Sequence, residues 1–280
     1  MRLATRAPAK LNLCLYVGPL RPDGLHELRS LFCPLTLSDR IVVTEAEVDE
    51  VVCPEVAGPN LAEAALAELR ARGWSRPPLR IEIEKRIPVA AGLGGGSADA
   101  AAVLRLGRDE VDGVAELAAK LGADVPSQLD PALAVVGGAG EVVEPLDPPR
   151  HFGVVLIPAD EGLSTADVYG EADRLGLGRD PDELDSIAAE LRAAAGRGAS
   201  PLDYRELLVN DLAHAALSLR PAIGSALAAL EDAGAELALI TGSGPTAFGI
   251  FEDIAAADAA ARQLAPRFAG AIVAGPEPER

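Results

Sequence analysis

The sequence predicts an α+β protein, and three observations point that way. Segments with strand and helix patterning alternate along the chain without an internal repeat. Its 280 residues, 49% of them hydrophobic, suffice for a substantial core in one large domain or two ordinary ones. DPPR at 147–150 reads as a linker, which divides the chain into domains over 1–147 and 148–280.

The elements follow in order. LNLCLYV at 11–17 puts Leu11, Leu13, Leu15 and Val17 on one face of a half-buried strand, with Lys10, Asn12 and Cys14 on the other. RPDG at 21–24 is a turn, and a second strand runs from it to Leu37. Ile41 to Thr44 reads as a further strand, Leu61 to Ala71 as an amphipathic helix, and Leu79 to Glu84 as a strand entering PVAAGLGGGSADAAAVLR at 88–105. There Ser97 reads as an N-cap, Ala98 to Leu106 as helix and Gly107 as its stop. Val114 to Leu121 is a helix closed by Gly122, and Asp124 stands just before another. Residues 133–146 form a glycine-interrupted hairpin.

Beyond the linker, GVVLIP at 153–158 is a buried strand, 180–199 a solvated helix with a loose loop, and Pro221 to Leu230 a helix ended by Gly234. Leu237 to Ile240 and Ala247 to Phe251 are strands flanking a second glycine loop, TGSGPT, and a last helix and the strand AIVAG complete the pattern.

The first glycine loop carries chemistry. Gly92, Gly94, Gly95 and Gly96 let a ligand approach the backbone, and the first amides of the following helix lack internal partners at its positive end. That junction suits a phosphate, although glycine clusters also make strand-to-helix turns that bind nothing. It is neither a Walker loop, since Gly96 is followed by Ser97 and Ala98, nor a dinucleotide fingerprint, since Ser97 stands where a third glycine belongs.

Composition excludes several classes. Forty-three Asp and Glu against 25 Lys and Arg give a net charge of -18, which argues against a nucleic-acid or anionic-membrane partner; an anionic substrate needs a local cationic pocket. Cys14, Cys33 and Cys53 have neither disulfide nor zinc spacing and fit a reducing cytoplasm. No signal peptide or membrane-spanning run is apparent.

PAKLNLCLYV at 8–17, RPDGLHELRSLF at 21–32, PVAAGLGGGSADAAA at 88–102, LGADVP at 121–126, GEVVEPL at 140–146, NDL at 210–212 and TGSGPTAFGIF at 241–251 occur in the order of a known family. With them the chain resembles the galactokinase, homoserine, mevalonate and phosphomevalonate (GHMP) kinase superfamily, and within it the branch acting on a cytidine-diphosphate-linked methylerythritol. The resemblance implies an N-terminal ribosomal-protein-S5-like domain and a C-terminal ferredoxin-like domain, with the active site in the cleft. It implies ATP and magnesium as cofactors, no nucleic-acid or membrane partner, and a cytoplasmic monomer or weak homodimer.

Residue by residue, it implies Asp124 as catalytic base and Lys10 as the cation that lowers the hydroxyl pKa. Asn12 would bind the substrate alcohol. Pro88, Gly92, Leu93, Gly94, Gly95, Gly96 and Ser97 would wrap the ATP phosphates, with Ser97 also toward magnesium. Gly242, Ser243 and Gly244 would close on the phosphate, and Asn60 and Lys85 would lie near the nucleotide. His26 and Tyr169 would recognise cytosine, with Leu25 standing where the family commonly carries Tyr. Ser127 and Gln128 replace two phenylalanines common after the Pro. Each has a plainer reading: an Asp before a helix is often an N-cap, a Lys is often solvated, and a strand Asn, a lone His or a lone Tyr often just packs. Other readings are a different small-alcohol kinase of the superfamily and a nucleotide-binding protein without catalysis.

Overall fold

The computed structural model describes residues 2–56, 58–159 and 161–278, so the outermost residues of the two expected domains, Met1 and Arg280, fall outside it. Its elements make an α+β protein, as the alternating pattern predicts. They fall into two compact units: Met1–Lys10, Leu37–Val89 and Gly94–Pro131 form the first, and Leu11–Thr36, Ala90–Leu93 and Ala132–Arg280 the second.

Two long strands serve both units: β1 (Arg2–Leu20) and β2 (His26–Glu45). β1 is buried from Ala7 through Gly18, on both faces, where the sequence predicts a half-buried strand. Its polar residues are tolerated inside because they find polar partners. β2 is one strand where the sequence suggests two. Ser38 and Asp39 look like a break, but Asp39 is fully buried and its Oδ1 accepts from the Arg86 amide at 2.6 Å and the Ile87 amide at 2.9 Å, so the chain stays extended.

In the first unit, β3 (Glu50–Val52) runs parallel to β4 (Leu79–Glu84), which pairs antiparallel with Arg40–Glu45 of β2. The inner residues Ile41, Val43, Ile81 and Ile83 meet four helices: α1 (Leu61–Ala71), α2 (Gly95–Leu106), α3 (Val114–Leu121) and α4 (Val125–Leu129). Small side chains, Ala65 on α1 and Ala98, Ala101 and Ala102 on α2, let these helices approach closely.

In the second unit, β5 (Ala134–Gly137) pairs with Ser30–Phe32 of β2 and with β6 (Val142–Pro145), forming the expected hairpin. β7 (Gly153–Ile157) is followed by α5 (Thr165–Leu175), α6 (Pro181–Ala195), α7 (Ala213–Leu219) and α8 (Ala222–Asp232). Then come β8 (Leu237–Ile240), β9 (Ala247–Phe251), α9 (Ile254–Leu264) and β10 (Ile272–Ala274). The four late strands form an antiparallel sheet in the order β10-β7-β9-β8. Val155, Ile157 and Phe251 pack from it against Leu230 and Leu264 of α8 and α9. The free thiols of Cys14 and Cys33 are buried, and burial pushes both pKa values up to about 12, which makes them inert. No helix among the described residues is long and apolar enough to cross a membrane.

Candidate active site

The first unit brings together Lys10, Asp124 and the start of α2. Lys10 lies on β1 with only 6% exposure, and its Nζ is 3.3 Å from Asp124 Oδ2. Asp124 occupies the N-cap position of α4, yet its side chain makes no capping hydrogen bond. The plain reading of an Asp at a helix start therefore fails here; the carboxylate faces the lysine instead. It keeps 32% side-chain exposure, so a hydroxyl can reach it. Ser127, one of the two departures after Pro126, holds the turn by donating from Oγ to the Asp124 carbonyl at 2.9 Å.

The loop before α2 is shaped around that lysine. The helix starts at Gly95, three residues earlier than the sequence suggests, because Gly94 at φ +68° is the N-cap and the Ala98 amide already bonds the Gly94 carbonyl at 2.9 Å. Ser97 is thus inside the first turn and is not the cap. The amides of Gly95, Gly96 and Ser97 have no acceptor within the helix, which leaves them for an anion. A β-carbon on Gly94 would come within 2.7 Å of Lys10 Cγ, so the loop backbone and the lysine stem touch.

Beneath the loop lies a group that sequence reasoning missed in part. Lys85 Nζ, 6% exposed, contacts Asp39 and lies 2.8 Å from Asp99 Oδ2. Burial lowers the lysine pKa, but the carboxylates of Asp99 and Asp39 outweigh it and the net shift is upward. Burial pushes Asp99 up to about 7 against the pull of Lys85, and Asp39 adds to the rise. The signal for Asp99 was its place among Ala98, Ala100 and Ala101 on a buried helix face, where an acid requires a cation. Lys85 is committed to these carboxylates and braces the loop from below, 3.1 Å from where a Gly95 β-carbon would sit.

A pH dependence follows. Asp99 holds a proton in the folded state between its ordinary 3.8 and about 7, where the unfolded chain has lost it. Stability from this group is full below that window, falls as pH rises through it, and is gone above it. Asp99→Asn should therefore gain thermal stability relative to the parent as pH rises from about 4 to about 7. A melting-temperature difference that stays flat over that range would count against the shift.

Asn60 caps α1, its Oδ1 accepting from the Ala62 amide at 2.8 Å, and Pro88 is half-buried.

The second unit holds the other residues. Asn12 is 3% exposed; its Nδ2 donates to Ser30 Oγ at 2.9 Å and its amide to Thr241 Oγ1 at 3.0 Å. TGSGPT joins β8 to β9, with Gly242 at φ +59° and Gly244 at φ +81°. Asn210, quoted only as part of NDL, builds this loop: Nδ2 donates to the Ile240 and Gly242 carbonyls at 2.8 and 2.9 Å, and Oδ1 accepts from the Leu212 amide. Ser243 Oγ is 3.0 Å from Thr165 Oγ1. Gly92, at φ +75°, packs on the same loop, where a β-carbon would meet the Gly244 carbonyl at 2.8 Å; Leu93 beside it is buried.

His26 and Tyr169 do come together, ring centroids 5.2 Å apart and planes inclined by 30°. His26 Nδ1 lies 3.0 Å from the Gly18 carbonyl and Nε2 lies 3.4 Å from Asp173 Oδ1. Leu25 is 51% exposed. Among the described residues no group of three or more His, Cys, Asp and Glu could hold a metal ion, and Ser97 places a hydroxyl in the first turn of α2.

The sequence model of the GHMP kinases N terminal domain matches residues 60–138 and that of the GHMP kinases C terminal matches 188–270. The chain is 43% identical to 4-diphosphocytidyl-2-C-methyl-D-erythritol kinase of Anaeromyxobacter dehalogenans (strain 2CP-C), over 96% of this chain and 87% of that one. It is 41% identical to the kinase of the same name from Rhodococcus jostii (strain RHA1), over 99% and 93%. A crystal structure of 4-(cytidine 5'-diphospho)-2C-methyl-D-erythritol kinase superposes with TM-score 0.80 at 32% identity, covering 99% of this chain and 100% of that one. Homoserine kinase from Cytophaga hutchinsonii shares the fold, with TM-score 0.71 at 17% identity over 99% and 94%.

Proposed function

This chain belongs to the GHMP kinases, in the family of 4-diphosphocytidyl-2-C-methyl-D-erythritol kinases, and from that premise we propose which of its residues carry the reaction. It transfers the γ-phosphoryl group of ATP to the 2-hydroxyl of 4-diphosphocytidyl-2-C-methyl-D-erythritol, a step of the non-mevalonate route to isoprenoid precursors. The observation that carries the assignment of roles is the Lys10–Asp124 pair at 3.3 Å beside the start of α2.

Asp124 accepts the hydroxyl proton as the 2-oxygen bonds to the γ-phosphorus and the bond to ADP breaks. Lys10 stabilises the developing negative charge. The amides from Gly92 to Ser97 hold the phosphates, with Pro88 setting the entry and Lys85 bracing the loop. Ser97 would meet magnesium carried on ATP, which would supply charge neutralisation at the phosphates. Asn60 lies toward the nucleotide, and Gly242, Ser243 and Gly244 toward the transferred phosphate. Asn12, tied to Ser30 and Thr241, presents its amide to the alcohol. His26 contacts the cytosine while Tyr169 stacks and Leu25 covers the base.

A division between the family's two halves at 147/148 is part of this proposal, supported by the matched stretches 60–138 and 188–270 lying on either side of it. The free cysteines support a cytoplasmic setting and the charge of -18 supports a protein acting on small molecules without nucleic-acid or membrane partners; a monomer or weak homodimer is part of the same proposal.

The test is ATP-dependent phosphorylation by the purified protein, read by product mass, with homoserine and mevalonate run alongside. A product one phosphoryl group heavier from the cytidyl substrate only is expected. Turnover of another alcohol instead would keep the kinase and sink the substrate; no turnover of any would leave a nucleotide-binding protein.

A further inference from the structure

We infer that Arg105 is a positioning residue for phosphoryl transfer: its guanidinium clamps the strand that carries Lys10 to the helix that carries Asp124. Arg105 sits in the last turn of α2, the helix that opens with the glycine loop. Its Nη1 donates to the Gln128 carbonyl at 2.6 Å and its Nη2 to the Arg6 carbonyl at 3.0 Å. Gln128 is one helical turn beyond Asp124, and Arg6 is on β1, an even number of residues before Lys10.

One planar fork therefore ties together three elements: the phosphate-loop helix, the proton-accepting helix and the lysine strand. The Gln128 carbonyl is among the last of the five-residue helix α4 and has no acceptance within that helix, so the clamp also stabilises the end of a helix too short to hold itself. Asp130, the neighbouring acid, accepts from Arg108. The geometry needs a guanidinium, because two carbonyls from different elements are met by two separate N–H groups held in one plane.

The inference rests on the kinase reading for its kinetic consequence and on the contacts alone for its structural one, so it is tested both ways. Arg105→Met keeps the apolar stem and removes the fork. It should lower kcat about tenfold with KM for ATP and for the cytidyl substrate within about twofold, because the binding surfaces stay while the reacting pair loses alignment. Arg105→Lys, which keeps charge and folds if the Met variant does not, should fall between the two. In both, hydrogen exchange of peptides covering 5–11 and 123–130 should quicken while 61–71 stays as in the parent. A kcat within about twofold of the parent in a variant with unchanged exchange overturns the clamp. If the parent itself does not phosphorylate the substrate, the kinase reading fails, and exchange then decides: unchanged rates in those two peptides overturn the inference and quickened ones uphold it.

Discussion

Asp124→Asn is expected to lower kcat by about three orders of magnitude while leaving ATP affinity within about threefold. Asn has the same shape but cannot accept the substrate proton, so the alcohol must lose it to water. The substitution is clean because of what Asp124 does not do. Its side chain caps no helix, and α4 is held at that end by Ser127 and by the Val125 amide bonding the Gly122 carbonyl at 3.1 Å. The ion pair joins a buried lysine to a carboxylate that keeps 32% exposure, so its loss takes one acceptor from Lys10, and thermal unfolding reads that cost apart from turnover. Steady-state kinetics, calorimetric titration with ATP and thermal unfolding together separate the effects. Residual turnover above about a tenth of the parent's would remove Asp124 from proton transfer.

Much of this site was legible in the sequence, and what was not has physical reasons. Alternation along β1 put Lys10 and Asn12 on one strand face, and bare glycines before an alanine-rich helix marked the anion site. The serine, a common cap, suggests a helix start three residues late, whereas the left-handed Gly94 is the cap and Ser97 is carried inside the helix. The role of Lys85 was hidden for a different reason. Its partners Asp39 and Asp99 come from two other elements, and periodicity says nothing about which buried charges meet. Asp39 also explains why β2 reads as two strands: a local breaker is overridden once its carboxylate is fully occupied. Helices α5 and α7 escaped because their buried residues are few, Val168 and Ala172 on one, Ala215 and Ala216 on the other, too sparse for a 3.6-residue pattern. The cap of α5 was nonetheless there to see, Ser164 accepting from the Asp167 amide.

Gly94→Ala joins the loop to the chemistry and should be the most damaging of the glycine substitutions at the start of α2. At φ +68° an alanine adds about 1 to 2 kcal/mol of backbone strain. Its β-carbon would also fall 2.7 Å from Lys10 Cγ and 3.3 Å from Lys10 Cε, so the lysine stem, buried and hemmed in, must shift. A displacement on the order of 1 Å at Nζ is enough to cost about a hundredfold in kcat, even where ATP still binds. Gly96→Ala provides the contrast in stability: there φ is not in the left-handed region, the nearest atom to the new carbon is Leu61 Cδ1 at 3.8 Å, and helix propensity favours Ala. The Gly94 variant should therefore melt several degrees below the parent and the Gly96 variant at or slightly above it. Full kcat in a folded Gly94→Ala protein would mean that Lys10 is not held in place by the loop, and its part in transferring the phosphoryl group would then have to be performed from a different position.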